Sequence, residues 1–306
     1  AVALVGVAVL TTVAAFGIRR SNQTNAVIVT VTIAALLLFI VTGTLRVRGV
    51  GPEHFTPFFT DDSPGAGLHE ATALMFVAYT GYGRIATLGE EVHEPRRAIP
   101  RAIIITLVVS ALLYVGVGAV AIGAAGSERL AATTERDVAP LVIVARDFGP
   151  AWVPWIVGLG AITAMLGVLL NLILGLSRVL LAMARRGDAP RVFSKLDEAE
   201  TTPYVAVIAV GIAIGLIAAL GSVKAAWSFS AFTVLVYYGI TNLAAIRLPR
   251  EQRLYPAFIP WAGLISCFGL AFWVEPHIWI AGLAILAAGL AWHVPRQWLQ
   301  GSGRAL

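Results

Sequence analysis

Apolar runs close to the length a helix needs to cross a hydrocarbon core, about 20 residues, follow one another along this chain, each closed by a short polar turn. Nine can be marked: Ala1–Ile18, Ala26–Leu45, Leu68–Leu88, Ile99–Ala124, Trp152–Met183, Pro203–Leu220, Trp227–Ile246, Tyr255–Val274 and His277–Trp292. Their apolar residues do not alternate, nor do they gather in short amphipathic patches. The pattern therefore predicts an all-α integral membrane helix bundle. Trp152–Met183 is overlong, which predicts a tilted helix or an end that projects from the bilayer. Asp62-Ser63-Pro64-Gly65 and Gly187-Asp188-Ala189-Pro190 carry loop chemistry. No soluble domain interrupts the series, so residues 1–306 read as a single transmembrane domain embedded in a lipid bilayer.

Composition agrees with the pattern. The chain is 58% hydrophobic and 13% charged, whereas soluble domains carry about 25% charged residues. A formal charge of +5 raises the question of nucleic acid. The basic residues are scattered between apolar runs, with no stripe that would track a phosphate backbone, so no nucleic-acid partner is expected. Arg19, Arg20, Arg96, Arg97, Arg101, Arg185, Arg186, Arg191, Lys195, Arg247, Arg250, Arg253, Arg296 and Arg304 fall on one side of the predicted bundle. Arg46, Arg48, Arg129, Arg136, Arg146 and Lys224 make a thinner set on the other. The positive-inside bias makes the first side cytoplasmic, with the C-terminus there and Ala1 on the outer face of a multi-pass cell-membrane protein. The single cysteine, Cys267, excludes an internal disulfide. The chain opens at Ala1 in an apolar run with no methionine or charged leader, and reads as the middle of a transmembrane helix rather than a signal peptide.

One run breaks the pattern. The middle of Leu68–Leu88 reads Phe76-Val77-Ala78-Tyr79-Thr80-Gly81-Tyr82-Gly83-Arg84, and Glu90, Glu91, His93, Glu94, Pro95, Arg96, Arg97 and Pro100 follow. Each glycine weakens a helix by roughly 1 kcal/mol relative to alanine. Arg84 inside a span needs a polar cavity or the interface. A helix that unwinds at mid-membrane exposes backbone groups, and these are tolerated only where they line a cavity or bind something. A glycine pair by itself more often serves close helix packing.

The string from Phe76 to Ile103 resembles the sixth helix and following loop of the amino acid–polyamine–organocation (APC) superfamily, in its cationic-amino-acid-transporter-like branch. Ser177-Arg178 through Ala184-Arg185 to Gly187 and Pro190 is similar to that family's eighth helix and cytoplasmic turn, and Thr241-Asn242-Leu243-Ala244 to the end of its tenth. The resemblance implies a LeuT-type inverted repeat of five plus five helices. It implies that the chain holds helices 4–12 of 12: the end of the first repeat at 1–45, the second repeat at 68–246, and helices 11 and 12 at 255–292. Helices one to three, including the first broken helix with its glycine-rich loop, are not in these residues. Half of the site is then expected to lie outside them, and the chain should not transport alone.

The function implied is a secondary active transporter, a permease of amino acids or related small amines, working by alternating access around the broken helix. Carried over, the resemblance makes Phe76, Val77, Ala78, Tyr79, Thr80 and Gly81 the unwound substrate-binding stretch. Carbonyls of Val77, Ala78 and Thr80 would accept from a substrate ammonium, Gly81 would leave room, and Phe76 or Tyr79 would gate. Helix packing is an equal use for either ring. Arg84 suits a bridge to Glu90 or Glu91 or a reach toward the cytoplasm, Asn171 an interhelical bond ahead of a place on the pathway, and Tyr238 a place on the pathway or in packing. The position of a fifth-helix lysine that some family members use for proton coupling falls on Thr32, which leaves proton and sodium coupling both open. No acid lies deep in a span, which favours a neutral solute. No cofactor, metal ligand or catalytic residue is expected, and the sequence assigns no oligomeric state.

Two other classes compete. Glu90-x-x-His93 has the spacing of one half of a dimetal carboxylate site, the basis for a membrane-embedded metal-dependent enzyme. A second such pair is lacking, and Pro95 and Pro100 make the region a turn. His69-Glu70 starts a zinc motif without its second histidine. A non-transporting sensor or partner subunit could share the fold.

Overall fold

The computed structural model describes residues 2–16, 21–50, 52–56, 64–82, 92–134, 139–148, 150–197, 202–220 and 223–301. In chain order the helices are α1 (Val2–Ala15), α2 (Ser21–Val50), α3 (Pro64–Phe76), α4 (Pro95–Ala125), α5 (Ser127–Thr134), α6 (Pro140–Ala145), α7 (Val153–Arg186), α8 (Tyr204–Leu220), α9 (Val223–Ile246), α10 (Phe258–Ala271) and α11 (Pro276–Gly301). Among the described residues there is no strand. The architecture is the all-α helix bundle that the apolar runs predict.

The nine runs do not become nine equal helices. Four helices are long and apolar enough to cross a bilayer alone: 26–49, Pro95–Ala125, Val153–Arg186 and Val223–Ile246. The 34 residues of α7 rise about 51 Å, beyond the hydrocarbon thickness of about 30 Å. Ala3–Ala15 and Tyr204–Ala219 are apolar but shorter, and the helices Phe258–Ala271 and Pro276–Ala291 meet at a 117° bend. Pro276 starts the second of these, and Trp273 N–H donates to the Leu270 carbonyl at 3.1 Å as the first one ends. The stretch before Trp152, read from the sequence as loop, carries α5 and α6. Pro140 opens α6 at a position where its missing N–H costs nothing.

The chain divides into two compact units, residues 1–59 with 87–220 and residues 60–86 with 221–306. In the first, α2 packs on α7 and α4, and α1 packs on α8 and α7. Phe39, fully buried, anchors the main core with Val120, Val144, Val153 and Val157, and its ring lies 5.0 Å from that of Phe148. A smaller cluster gathers Ala14, Ile173 and Val207. A Cβ on Gly160 would collide with Ala35, so α2 and α7 meet backbone to backbone, as small residues allow in membrane bundles. The C-terminus of α4 is closed by Gly126 (φ +77°), whose N–H reaches the Ile122 carbonyl at 2.8 Å. His54 Nδ1 donates to the Gly123 carbonyl beside it, also at 2.8 Å.

In the second unit α9 packs against α3, α10 and α11. Phe232, Leu235 and Tyr238 of α9 are buried with Ala73 of α3, Cys267 and Ala271 of α10, and Ile278 of α11. At one end, His69 stacks on Trp273 with ring centroids 4.7 Å apart, and Glu275 pairs with Lys224 at 3.1 Å and His277 at 3.4 Å.

Candidate functional site

In the second unit, α3 stops five residues short of Gly81. Regular α3 ends at Phe76, Val77–Tyr79 form a single 3-10 turn, and Thr80 is extended (φ −83°, ψ 169°). Gly81 then adopts φ +103°. That is a conformation in which a Cβ would be strained, so the residue type and the break require one another. Thr80 folds back on the turn: its N–H and its Oγ1 donate to the Val77 carbonyl at 3.1 and 2.7 Å. The Val77 carbonyl, expected to stand ready for a ligand, accepts twice within the turn. Upstream, the Trp227 indole N–H of α9 donates to the Leu74 carbonyl at 2.9 Å. Carbonyls in the last turn of a helix lack their regular partners and take such outside donors.

Two aromatic rings flank the break and meet the same neighbour. Phe76 lies edge-on to Tyr238 at 5.7 Å, and Tyr82 stacks on Tyr238 at 5.2 Å with planes 28° apart. Tyr237 approaches Tyr238 edge-on at 5.2 Å. Tyr238 is 8% exposed, and its carbonyl accepts from Asn242 Nδ2 at 2.9 Å. Residues 76–82 are all half-buried. The outcome is a short strip outside regular α-helix, with backbone groups and the Thr80 hydroxyl beside an aromatic cluster. Such a strip can hydrogen-bond a small polar solute and offer ring faces to an ammonium. Neither α9, α10 nor residues 76–82 contain an aspartate or glutamate.

The other expected site residues fall elsewhere. Thr32 and Asn171 are in the first unit, where Thr32 Oγ1 donates to the Ile28 carbonyl at 2.9 Å and Asn171 Nδ2 to the Gly167 carbonyl at 3.0 Å, each within its own helix. Arg84, Glu90 and Glu91 lie outside the described residues. His93 is exposed in the bend before α4. Among the described residues, no three of the His, Cys, Asp or Glu side chains gather closely enough to hold a metal. Tyr82 and Trp227 went unselected in the sequence. Tyr82 had a signal, an aromatic directly after the break glycine; Trp227 had only its place near the start of an apolar run.

Residues 1–303 match the family described as amino acid permease. An uncharacterized transporter of Mycobacterium tuberculosis is 38% identical over 294 residues, 95% of this chain and 64% of its own length. The branched-chain amino acid permease BcaP of Bacillus subtilis is 29% identical over 83% of this chain and 53% of its own. The vacuolar cationic amino acid transporter 4 of Arabidopsis thaliana is 30% identical over 67% of this chain and 33% of its own. The chain thus spans 64% of the length of the mycobacterial relative and less of the others.

Proposed function

This chain belongs to the amino acid permease family, and on that premise we propose that it is the larger part of a secondary transporter for amino acids or related small amines. The repeat architecture is LeuT-type, and alternating access turns on the break after α3. One observation carries the reading: α3, packed on the span α9, ends at Phe76 and no α-helix resumes through Gly81 at φ +103°. Such backbone is stable at membrane depth only where it lines a polar path.

The solute's α-ammonium would donate hydrogen bonds to backbone carbonyls of the strip 77–81 while its side chain lies along Phe76, Tyr82 and Tyr238. A neutral amino acid suits this wall better than a cationic one. A buried cation wants a carboxylate, and α9, α10 and residues 76–82 offer none. Thr32 presents a hydroxyl already bonded to the Ile28 carbonyl. It supplies no ammonium for lysine-type proton coupling, but its oxygen keeps lone pairs that could meet a cation, so proton and sodium coupling both stay open. The bias of lysine and arginine supports a C-terminus in the cytoplasm, and the membrane we propose is the plasma membrane. No step requires a metal or an organic cofactor.

The test is counterflow into proteoliposomes holding the full-length protein and preloaded with single unlabelled solutes. The panel runs over neutral amino acids, cationic amino acids, a polyamine and a sugar. Stimulated entry of a labelled neutral amino acid is the expected result; stimulation by the sugar alone would overturn the substrate class.

A further inference from the structure

We infer that Tyr238 is a positioning residue that holds the break after α3 in its unwound form by engaging one ring on each side of it. Phe76 is the last residue of α3 and Tyr82 directly follows Gly81. In a continuous α-helix, two residues six apart point about 120° away from each other and sit about 9 Å apart along the axis. They could not both pack on one side chain of a neighbouring helix. Here both do, at 5.7 and 5.2 Å from the same ring. The double contact therefore exists only while the segment is unwound, and rewinding it through Gly81 breaks at least one of the two ring pairs.

The seat of Tyr238 is fixed. Its ring is 8% exposed, next to Leu235, Cys267 and Ala271 in the core of this unit. Its neighbour Gly239 presses so closely on Phe268 of α10 that an added Cβ would lie 2.8 Å from the ring. The Tyr237 ring braces it edge-on. A closely packed α9–α10 pair thus presents one aromatic face to a segment held only by a single 3-10 turn. The inference stands on the geometry of the break, and it gains its meaning for uptake from the transport reading above.

Hydrogen–deuterium exchange on the purified full-length protein in nanodiscs tests it without any substrate, so its failure is separable from a failure of the transport reading. Tyr238→Leu keeps apolar bulk and removes the ring; Tyr238→Phe keeps the ring. We expect amides of the 76–82 peptide to exchange about tenfold faster or more in Tyr238→Leu, the worth of two lost aromatic pairs. Tyr238→Phe keeps both ring pairs and loses only the hydroxyl bonded to Tyr82, so its exchange should stay much closer to the wild type than to Tyr238→Leu, and peptides of α10 should be unchanged in both. Tyr82→Leu added to Tyr238→Leu should bring little further change, because the ring pair is already gone. Unchanged exchange of 76–82 in Tyr238→Leu would overturn the inference. Equal acceleration across α10 would also overturn it, since that is loss of general packing.

Discussion

The indole N–H of Trp227 reaches the carbonyl of Leu74 at 2.9 Å, so the start of α9 ties down the last turn of α3 two residues before that helix ends. The bond joins elements far apart in the chain. It also meets a carbonyl in the turn where regular partners run out. Trp227→Phe keeps most of the ring and removes the donor. It should destabilise the second unit by about 0.5–1.5 kcal/mol, the usual net worth of one hydrogen bond. Denaturant unfolding in micelles, followed by a probe placed in α9, measures it.

At Gly81 the obstacle to a side chain is the backbone and not the space. Nothing lies within 4 Å of a Cβ built there, yet φ is +103°. Gly81→Ala should therefore cost about 1–3 kcal/mol through strain alone, or shift the segment away from its unwound form. Gly269, also free of neighbours but inside α10, is the control. Gly269→Ala should be neutral or stabilising by up to about 1 kcal/mol, because alanine is the better helix former. Thermal unfolding of the two variants side by side separates conformation from crowding.

Gly282 presents the opposite case. A Cβ there would run into the ring of Phe232, which is fully buried. Gly282→Ala should destabilise the α9–α11 contact by about 1–3 kcal/mol, the cost of overpacking a filled core. Phe232→Leu in the same background should recover part of that loss. A Gly282→Ala protein as stable as the wild type would show that these helices part easily.

The reading as a transporter without metal chemistry also makes a prediction. Prolonged treatment of the full-length protein with a chelator, and His93→Ala, should each leave uptake unchanged within error. Loss of uptake on chelation, restored by zinc or iron, would favour the enzyme alternative built on Glu90 and His93.

Much of the fold was legible because lipid imposes it. Long apolar runs mark α2, α4, α7 and α9 almost without ambiguity, since a spanning helix must be apolar on nearly every face. The same lack of amphipathic contrast hid the helix ends. Nothing in the apolar pattern of Tyr255–Val274 tells that α10 stops at Ala271 and that α11 turns away by 117°. The short α5 and α6 were illegible for a related reason: helices of eight and six residues leave too few turns for a period to show. At the site, Gly81 pointed to the break only together with Gly83, Arg84 and the polar turn that follows, because a glycine pair alone more often serves close helix packing. The partners of the break could not be read. Tyr238 and Trp227 lie more than 140 residues further along, and only the packing of α9 on α3 brings them to Phe76, Tyr82 and Leu74. That the Val77 carbonyl accepts from Thr80 could not be read either, because a threonine folding back three residues is a local competition the glycine signal conceals.

Counterflow of a labelled neutral amino acid by the full-length protein, wild type against Gly81→Leu at matched membrane insertion, bears most directly on the claim that the break after α3 is the working site. The account predicts saturable, trans-stimulated entry for the wild type and background entry for the variant. Entry by Gly81→Leu at the wild-type rate, or no amino acid moved by either protein, would contradict it.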